Sequence, residues 1–218
     1  MKIIIYGVGK FAEAMHFEFT NETQFSVCGF CIESKYIVER EINNLPVIDF
    51  EMIESCYPPE EYQLFIALGL NKERQRIFDL AKGKGYKMVS HISQKAITYK
   101  DLTYGENTFV SAGSQIGPFV SIGDNSFLIG TAMGHHVTIS AHCMLSNCTF
   151  GGNVHIGDFS FIGMNAAIQQ NVKIGKNNII GMGCNIEKDT EDNQIYHAGK
   201  ATVLRNITTD QFEKKYLK

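Results

Sequence analysis

From Tyr104 to about Asp189 the chain carries apolar residues on a six-residue clock. The cleanest run is Phe150, Ile156, Ile162, Ile168, Ile174, Ile180 and Ile186. Small, polar or β-branched residues sit four places after each opener: Val154, Ser160, Ala166, Val172, Asn178, Cys184 and Thr190. A fixed short period is the mark of a solenoid, and hexads point to a parallel β-helix. Three hexads close one coil, which should stack Ile156 on Ile174, Ile162 on Ile180 and Ile168 on Ile186, with openers and fifth residues inside.

Earlier units open at Tyr104, Val110, Ile116, Ile122 and Leu128, with Thr108, Ser114, Val120, Ser126 and Ala132 as fifth residues. The clock slips by one twice. Met133, Ile139 and Leu145 form a shifted block, with Val137, Cys143 and Thr149 expected inside, and Phe150 restores the run. Fifteen hexads make five coils. An irregular block in a regular fold is a natural place for function.

Residues 1–90 keep a different rhythm, strand alternating with helix, which predicts a small parallel α/β sheet, half of a Rossmann-like unit. Strands are expected at Lys2–Tyr6, Phe25–Ile32 and Gln63–Leu68, with a last one starting at Met88. A helix should follow Gly7-Val8-Gly9-Lys10-Phe11-Ala12 to about Phe19, and an acidic one should lie near Asp49–Cys56. Asn71–Gly83 reads as an amphipathic helix anchored by Ile77, Phe78 and Leu80. The division expected is an α/β domain over 1–90, a β-helix over 91–190, and a cap over 191–218. In that cap, Thr208 and Thr209 start a short C-terminal helix.

The 218 residues carry a formal net charge of −3 without a long basic block, which argues against phosphate-driven nucleic-acid binding. No apolar stretch approaches the roughly 20 residues that span a bilayer. Six scattered cysteines in a chain with a large core point to the reducing cytoplasm. Cys28 and Cys31 stand in a strand without a second pair, so they read as small strand residues rather than a zinc knuckle or redox pair.

Two places could carry chemistry. Glycines between a strand and a helix let phosphate oxygens approach backbone N–H groups, and Glu33 ends the next strand, where an acid meets a ribose or base. The sheet is too small for a whole dinucleotide, so a mononucleotide or nucleotide sugar suits it better than NAD. The second place is Gly134-His135-His136-Val137. The histidines are third and fourth in their hexad, pointing outward at a corner, and imidazole is the natural general base near neutral pH. His142 holds the same hexad place as His136, which raises a metal-dependent lyase as a rival, but zinc needs three or four convergent ligands. His16, His91, His155 and His197 read as surface or packing residues.

The glycine turn, the helix after Asn71-Lys72-Glu73-Arg74, the junction His91-Ile92-Ser93-Gln94-Lys95-Ala96, the Gly134-His135-His136 corner and the run Gly152-Asn153-Val154-His155-Ile156-Gly157 together resemble a known family. It is the hexapeptide-repeat bacterial nucleotide-sugar acyltransferases, typified by the N-acetylbacillosamine-pathway N-acetyltransferase and the sialic acid O-acetyltransferase. The resemblance implies a homotrimer of left-handed β-helices with active sites between subunits. Acetyl-CoA would be the co-substrate, a nucleotide-linked amino sugar the acceptor, and no metal would take part. It implies a corner histidine as base, which falls on His135. Nucleotide-sugar contacts carry over to Gly7, Gly9, Lys10 and Glu33, and acetyl-CoA contacts to Gly152, Met164 and Met182. The implied activity is N-acetylation of a 4-amino-4,6-dideoxy sugar, a cell-surface glycan precursor, by direct attack on the thioester, with backbone N–H groups stabilising the oxyanion. O-acetylation on the same scaffold and a non-catalytic nucleotide-sugar-binding protein are the alternatives. The family usually has Asp or Glu directly after the base, and here that place holds His136. A further histidine usual at the acyl-CoA site is also unmatched, since Cys143-Met144 stand there.

Overall fold

The computed structural model describes residues 1–200 together with Thr208 and Gln211. Strand β1 (Lys2–Tyr6) is buried from Ile3 onward and runs into the glycine turn. Gly7 has φ +124°, and its N–H donates to Cys31 O at 2.9 Å. A Cβ there would sit 3.1 Å from Ala67 O, so the turn needs glycine twice over. Helix α1 (Lys10–Glu22) buries Ala12, Met15 and Phe19, spaced on one face. It runs a turn beyond Phe19, and the Thr23 hydroxyl donating to Phe19 O at 2.7 Å closes it.

Strand β2 (Ser26–Ile32) follows. The segment after it contains a small hairpin, β3 (Glu41–Ile42) and β4 (Leu45–Asp49). Asn43 and Asn44 both have positive φ, the conformation that two-residue hairpin turns require. The acidic segment is a 3₁₀ turn leading into the short α2 (Ile53–Cys56). Strand β5 (Tyr62–Ile66) precedes α3 (Asn71–Gly83). Sheet order is β3-β4-β2-β1-β5, parallel except for the edge strand β3. Met88 makes a single bridge to Leu64 rather than a strand.

Helix α3 buries Arg74, Ile77, Phe78 and Ala81, while Leu80 is exposed. That corrects the anchor expected at Leu80: the stripe follows the 74, 77, 78, 81 spacing, and Leu80 lies off it.

The β-helix is built on three faces of two- and three-residue parallel strands. Ile156 pairs with Ile174, Ile162 with Ile180 and Ile168 with Ile186, as the clock requires. The first rung is His91–Ile92 on Phe109–Val110, earlier than the hexad count began. Tyr104 lies on a sheet-edge strand and is half exposed, so it does not fill the core as its opener place suggested.

The two slips share one corner. Leu128 pairs with Leu145, and Met133 with Phe150, so two consecutive coils each lack one residue at the same turn and stay in register. The residue shed is not the one expected. Thr131 and Cys148 are buried, whereas Ala132 is only partly buried and Thr149 is exposed, because inward residues stand two before each opener whatever the hexad length.

The fourth residue of most hexads, and the third of each shortened one (Gly130 and Asn147), turns the corner with positive φ. Asn107, Asn125, Asn153, Asn165, Asn171 and Asn177 do so, as do His136 and His142. Asparagine and histidine are among the residue types that tolerate this conformation. Two apolar clusters result. One fills the coil interior. The other lies between the sheet and α1 and α3 and includes Phe109, Phe127 and Met144 from the outside of the β-helix. Phe65 stacks on Phe127 with ring centroids 5.5 Å apart.

Thr208 Oγ accepts from Gln211 N–H at 3.3 Å, and Gln211 Oε1 accepts from Thr208 N–H at 3.0 Å. This reciprocal pair marks a helix start, and the rest of the expected C-terminal helix lies outside the described residues. Among the described residues, no helix is long and apolar enough to cross a membrane.

Candidate active site

His135 and His136 lie exposed at the corner after the Ala132–Met133 strand, one corner beyond the slips rather than on them. His136 has φ +55°, and its N–H donates to Pro118 O in the coil before at 3.0 Å. His135 O accepts from Asn153 N–H in the coil after at 2.8 Å. Both neighbouring coils therefore fix the backbone that carries the two rings. The rings stand edge to face, with Nδ1 of His135 2.9 Å from Nδ1 of His136. Phe119 lies against His136, with centroids 4.6 Å apart.

Gly152 is the floor of this corner. A Cβ there would come within 2.8 Å of His135 Cε1 and Nε2. Gly152→Ala is therefore expected to displace the ring and lower kcat by about tenfold or more, because even about 1 Å of misplacement costs up to two orders of magnitude. Steady-state kinetics would show it, and native kcat in this variant would show that the ring does not need its present position.

His142 occupies a different corner. Its ring stacks on Phe159 at 4.8 Å and its Nδ1 lies 2.9 Å from Asn125 Nδ2. Burial, then the Arg74 charge, lowers its pKa. It packs beneath α3, with Phe78 edge-on, and does not converge with His136. Burial also pushes the thiols of Cys143 and Cys148 up to about 12, which disfavours either as an acyl acceptor.

Met164 and Met182 are exposed and adjacent in neighbouring coils, Gly183 N–H donating to Met164 O at 2.9 Å. They stand at the corner that carries the slips. Within one chain they and His135 therefore do not share a site, whereas Gly152 and His135 do.

In the α/β half, Gly9 is the N-cap of α1 and has open space around its Cα. Gly9 and Lys10 line a cleft of about 510 Å³ that the β3–β4 hairpin closes through Asn43. Lys10 is exposed and bonded to Glu13 at 2.8 Å. Glu33 lines an adjoining cleft of about 390 Å³ with Tyr36, Gly69 and Arg76, and Val8 borders both clefts. Its carboxylate receives both guanidinium nitrogens of Arg76, at 2.7 and 3.2 Å, and this pairing holds its pKa below the usual range. Gly7 forms the turn behind these clefts. Sequence reasoning missed Arg76, Tyr36 and Phe119. The pair Glu73 and Arg76, one helical turn apart, was the available signal for Arg76.

Residues 2–81 match the PglD N-terminal domain family, and residues 153–188 match the bacterial transferase hexapeptide family of six repeats. Among solved structures, the chain overlays a histidine-to-asparagine mutant of perosamine N-acetyltransferase from Caulobacter crescentus, in complex with CoA and GDP-perosamine. The TM-score is 0.80 at 25% identity, covering 89% of this chain and 92% of that one. The acetyltransferase domain of PglB from Neisseria gonorrhoeae FA1090 matches with TM-score 0.78 at 21% identity, covering 89% and 95%. WeeI from Acinetobacter baumannii AYE matches with TM-score 0.75 at 20% identity, covering 89% and 96%. Fold and repeats together define a left-handed β-helix transferase. Residues 2–81 thus form a PglD-type N-terminal domain, and the chain as a whole resembles the bacterial sugar acetyltransferases of that class.

Proposed function

We propose that the chain transfers an acetyl group from acetyl-CoA to the amine of a nucleotide-linked 4-amino-4,6-dideoxy sugar, with His135 as proton acceptor. The observation that carries this is the 2.9 Å Nδ1–Nδ1 contact between His135 and His136. One of the two nitrogens must donate and the other accept. When His135 donates, its Nε2 keeps a free lone pair, and that nitrogen lies over Gly152. His136 then does part of the work of the missing carboxylate: it fixes the tautomer, although it brings no negative charge.

The amine attacks the thioester carbonyl and passes its proton to His135 Nε2. The Nδ1 proton of His135 can move to His136 Nδ1, so the positive charge is shared with a ring that lies against the Phe119 face. The thiolate of CoA leaves, and no covalent enzyme intermediate forms. The relatives support the donor and acceptor classes: one is in complex with CoA and GDP-perosamine, and the PglB acetyltransferase domain is also known in complex with acetyl coenzyme A.

The adjoining clefts at Gly9, Lys10 and Glu33 take the nucleotide end. The phosphates lie at the N-terminus of α1 and the ribose or base lies against Glu33. Glu33→Ala is expected to raise KM for the nucleotide sugar about tenfold with a smaller change in kcat, as loss of a hydrogen bond to a charged group does. An unchanged KM would remove Glu33 from the site. Met164 and Met182 join His135 only if a neighbouring chain brings its slip corner alongside, so a homotrimer is part of the proposal.

The test is incubation with acetyl-CoA and a panel of nucleotide-linked sugars, amino and hydroxy, with release of CoA thiol as the readout. Release only with amino sugars is expected. Release only with hydroxy sugars would assign O-acetylation, and no release with any acceptor would sink the transferase reading.

A further inference from the structure

The last turns of α1 point carboxylates at the first rung of the β-helix. Glu18 and Glu22, four residues apart on one helix face, approach His91. His91 Nε2 lies 3.9 Å from Glu18 Oε2 and 3.8 Å from Glu22 Oε2, and the three possible ligand atoms all lie within 4.8 Å of one another. The His91 side chain is 4% exposed. Its Nε2 and Glu18 Oε2 are buried, and among the described residues neither has a hydrogen-bond partner.

Such orphans are costly, because a buried polar atom left unpaired gives up its hydration with nothing in return. The other groups around them are firmly placed. Glu22 receives Lys95 Nζ on Oε1 and the Ser93 hydroxyl on Oε2, both at 2.6 Å, and Lys95 N–H donates to Ser93 Oγ at 3.1 Å. The imidazole is stacked on Phe109 at 5.8 Å and flanked by Phe19 at 5.4 Å, so its Nε2 is aimed and cannot swing away. Two carboxylates here face one lysine and one imidazole. The proposed acyl transfer uses none of these groups.

We propose that Glu18, Glu22 and His91 bind a divalent metal ion of the zinc type, in a structural site that ties α1 to the β-helix. One imidazole nitrogen and two carboxylate oxygens are a donor set that zinc accepts. Ligands about 2.0–2.2 Å from zinc stand roughly 3.3–3.6 Å apart in a tetrahedron, so His91 and each carboxylate need to close by about half an ångström and the two carboxylates by at most about 1.5 Å. Glu18, whose Oε2 has no hydrogen-bond partner among the described residues, supplies most of that movement. The ion ends the isolation of both orphaned atoms at once. Ser93 and Lys95 act as outer partners that orient the Glu22 carboxylate. The sequence alone pointed to no metal, because its ligands are spread from position 18 to 91 and share no motif.

The untagged full chain, stripped with a chelator, is loaded with Zn²⁺ and desalted, and bound metal is measured by mass spectrometry alongside thermal unfolding. About one zinc per chain and a raised unfolding midpoint are expected. Glu18→Gln keeps the side-chain shape and removes the charge, so it should weaken zinc binding at least about tenfold and abolish the midpoint shift. Cobalt(II) titrated into the native chain and read by its d–d absorption gives the same answer without any variant. A native chain that takes up neither ion overturns the proposal. So does equal zinc affinity in Glu18→Gln, which would place the ion elsewhere.

Discussion

Replacing His135 with alanine is expected to lower kcat by about 10²–10⁴-fold while leaving KM for acetyl-CoA within a few-fold of native, since a positioned proton acceptor contributes that much and no more. The residual rate comes from holding donor and acceptor together, which offsets roughly 7–11 kcal/mol of barrier without any base. Turnover at the native rate in His135→Ala would remove the residue from the mechanism. The companion variant is His136→Asp. Aspartate tolerates the positive φ of this position and restores a carboxylate beside His135 Nδ1. It should match or exceed native kcat, because a carboxylate stabilises the imidazolium. A His136→Asp rate as low as that of His135→Ala would show instead that His136 is the base.

The second large effect concerns Arg74. Its side chain is fully buried, without a carboxylate partner among the described residues. It donates to Leu68 O at 2.8 Å, Asn125 O at 3.1 Å, Cys143 O at 3.0 Å and Asn71 Oδ1 at 2.8 Å, and its guanidinium lies 4.5 Å from the Phe127 ring centroid. Burial lowers its pKa to about 10, which leaves it charged at neutral pH. One side chain thus holds the loop before α3 to two β-helix corners. Arg74→Met fits the apolar stripe but takes the donor from Leu68 O, Gly69 O and Asn125 O, while Cys143 O keeps the Phe127 N–H at 3.0 Å. It should cost about 2–4 kcal/mol, read as a lower urea midpoint at unchanged m-value. Arg74→Lys should recover only part of this, because three donors on one nitrogen cannot span a planar fork. A native midpoint in Arg74→Met would mean that water satisfies those carbonyls.

The repeat was legible because its spacing is set by backbone geometry that every coil shares. Ile156, Ile162 and Ile168 each meet the expected neighbour, and α3 has the expected bounds. Less legible was which residue a shortened hexad gives up. Thr131 and Cys148 go inside because the chain counts back from the next opener, a rule visible only once two coils are stacked. The corner asparagines were an unused signal: their period marks the fourth position and identifies His136 and His142 as turn residues before any chemistry is assigned. Arg74 was hidden by its type. A charged residue at a buried helix position is read as surface unless the stripe is counted from Ile77, Phe78 and Ala81. The contact of Glu33 with Arg76 joins residues on separate elements, and only the folded sheet brings them together.

The paired short corners constrain how a chain of this kind changes length. Gly130 lies against Asn147, and the Asn147 N–H donates to Ile129 O, so each tightened turn rests on the other. A single deletion in one coil would tilt every rung above it, whereas matched deletions in adjacent coils keep the three faces plumb. Variation in length should therefore pass down a column of stacked corners rather than along the chain. The column of His135 and Gly152 is then free to keep its spacing while its neighbour contracts.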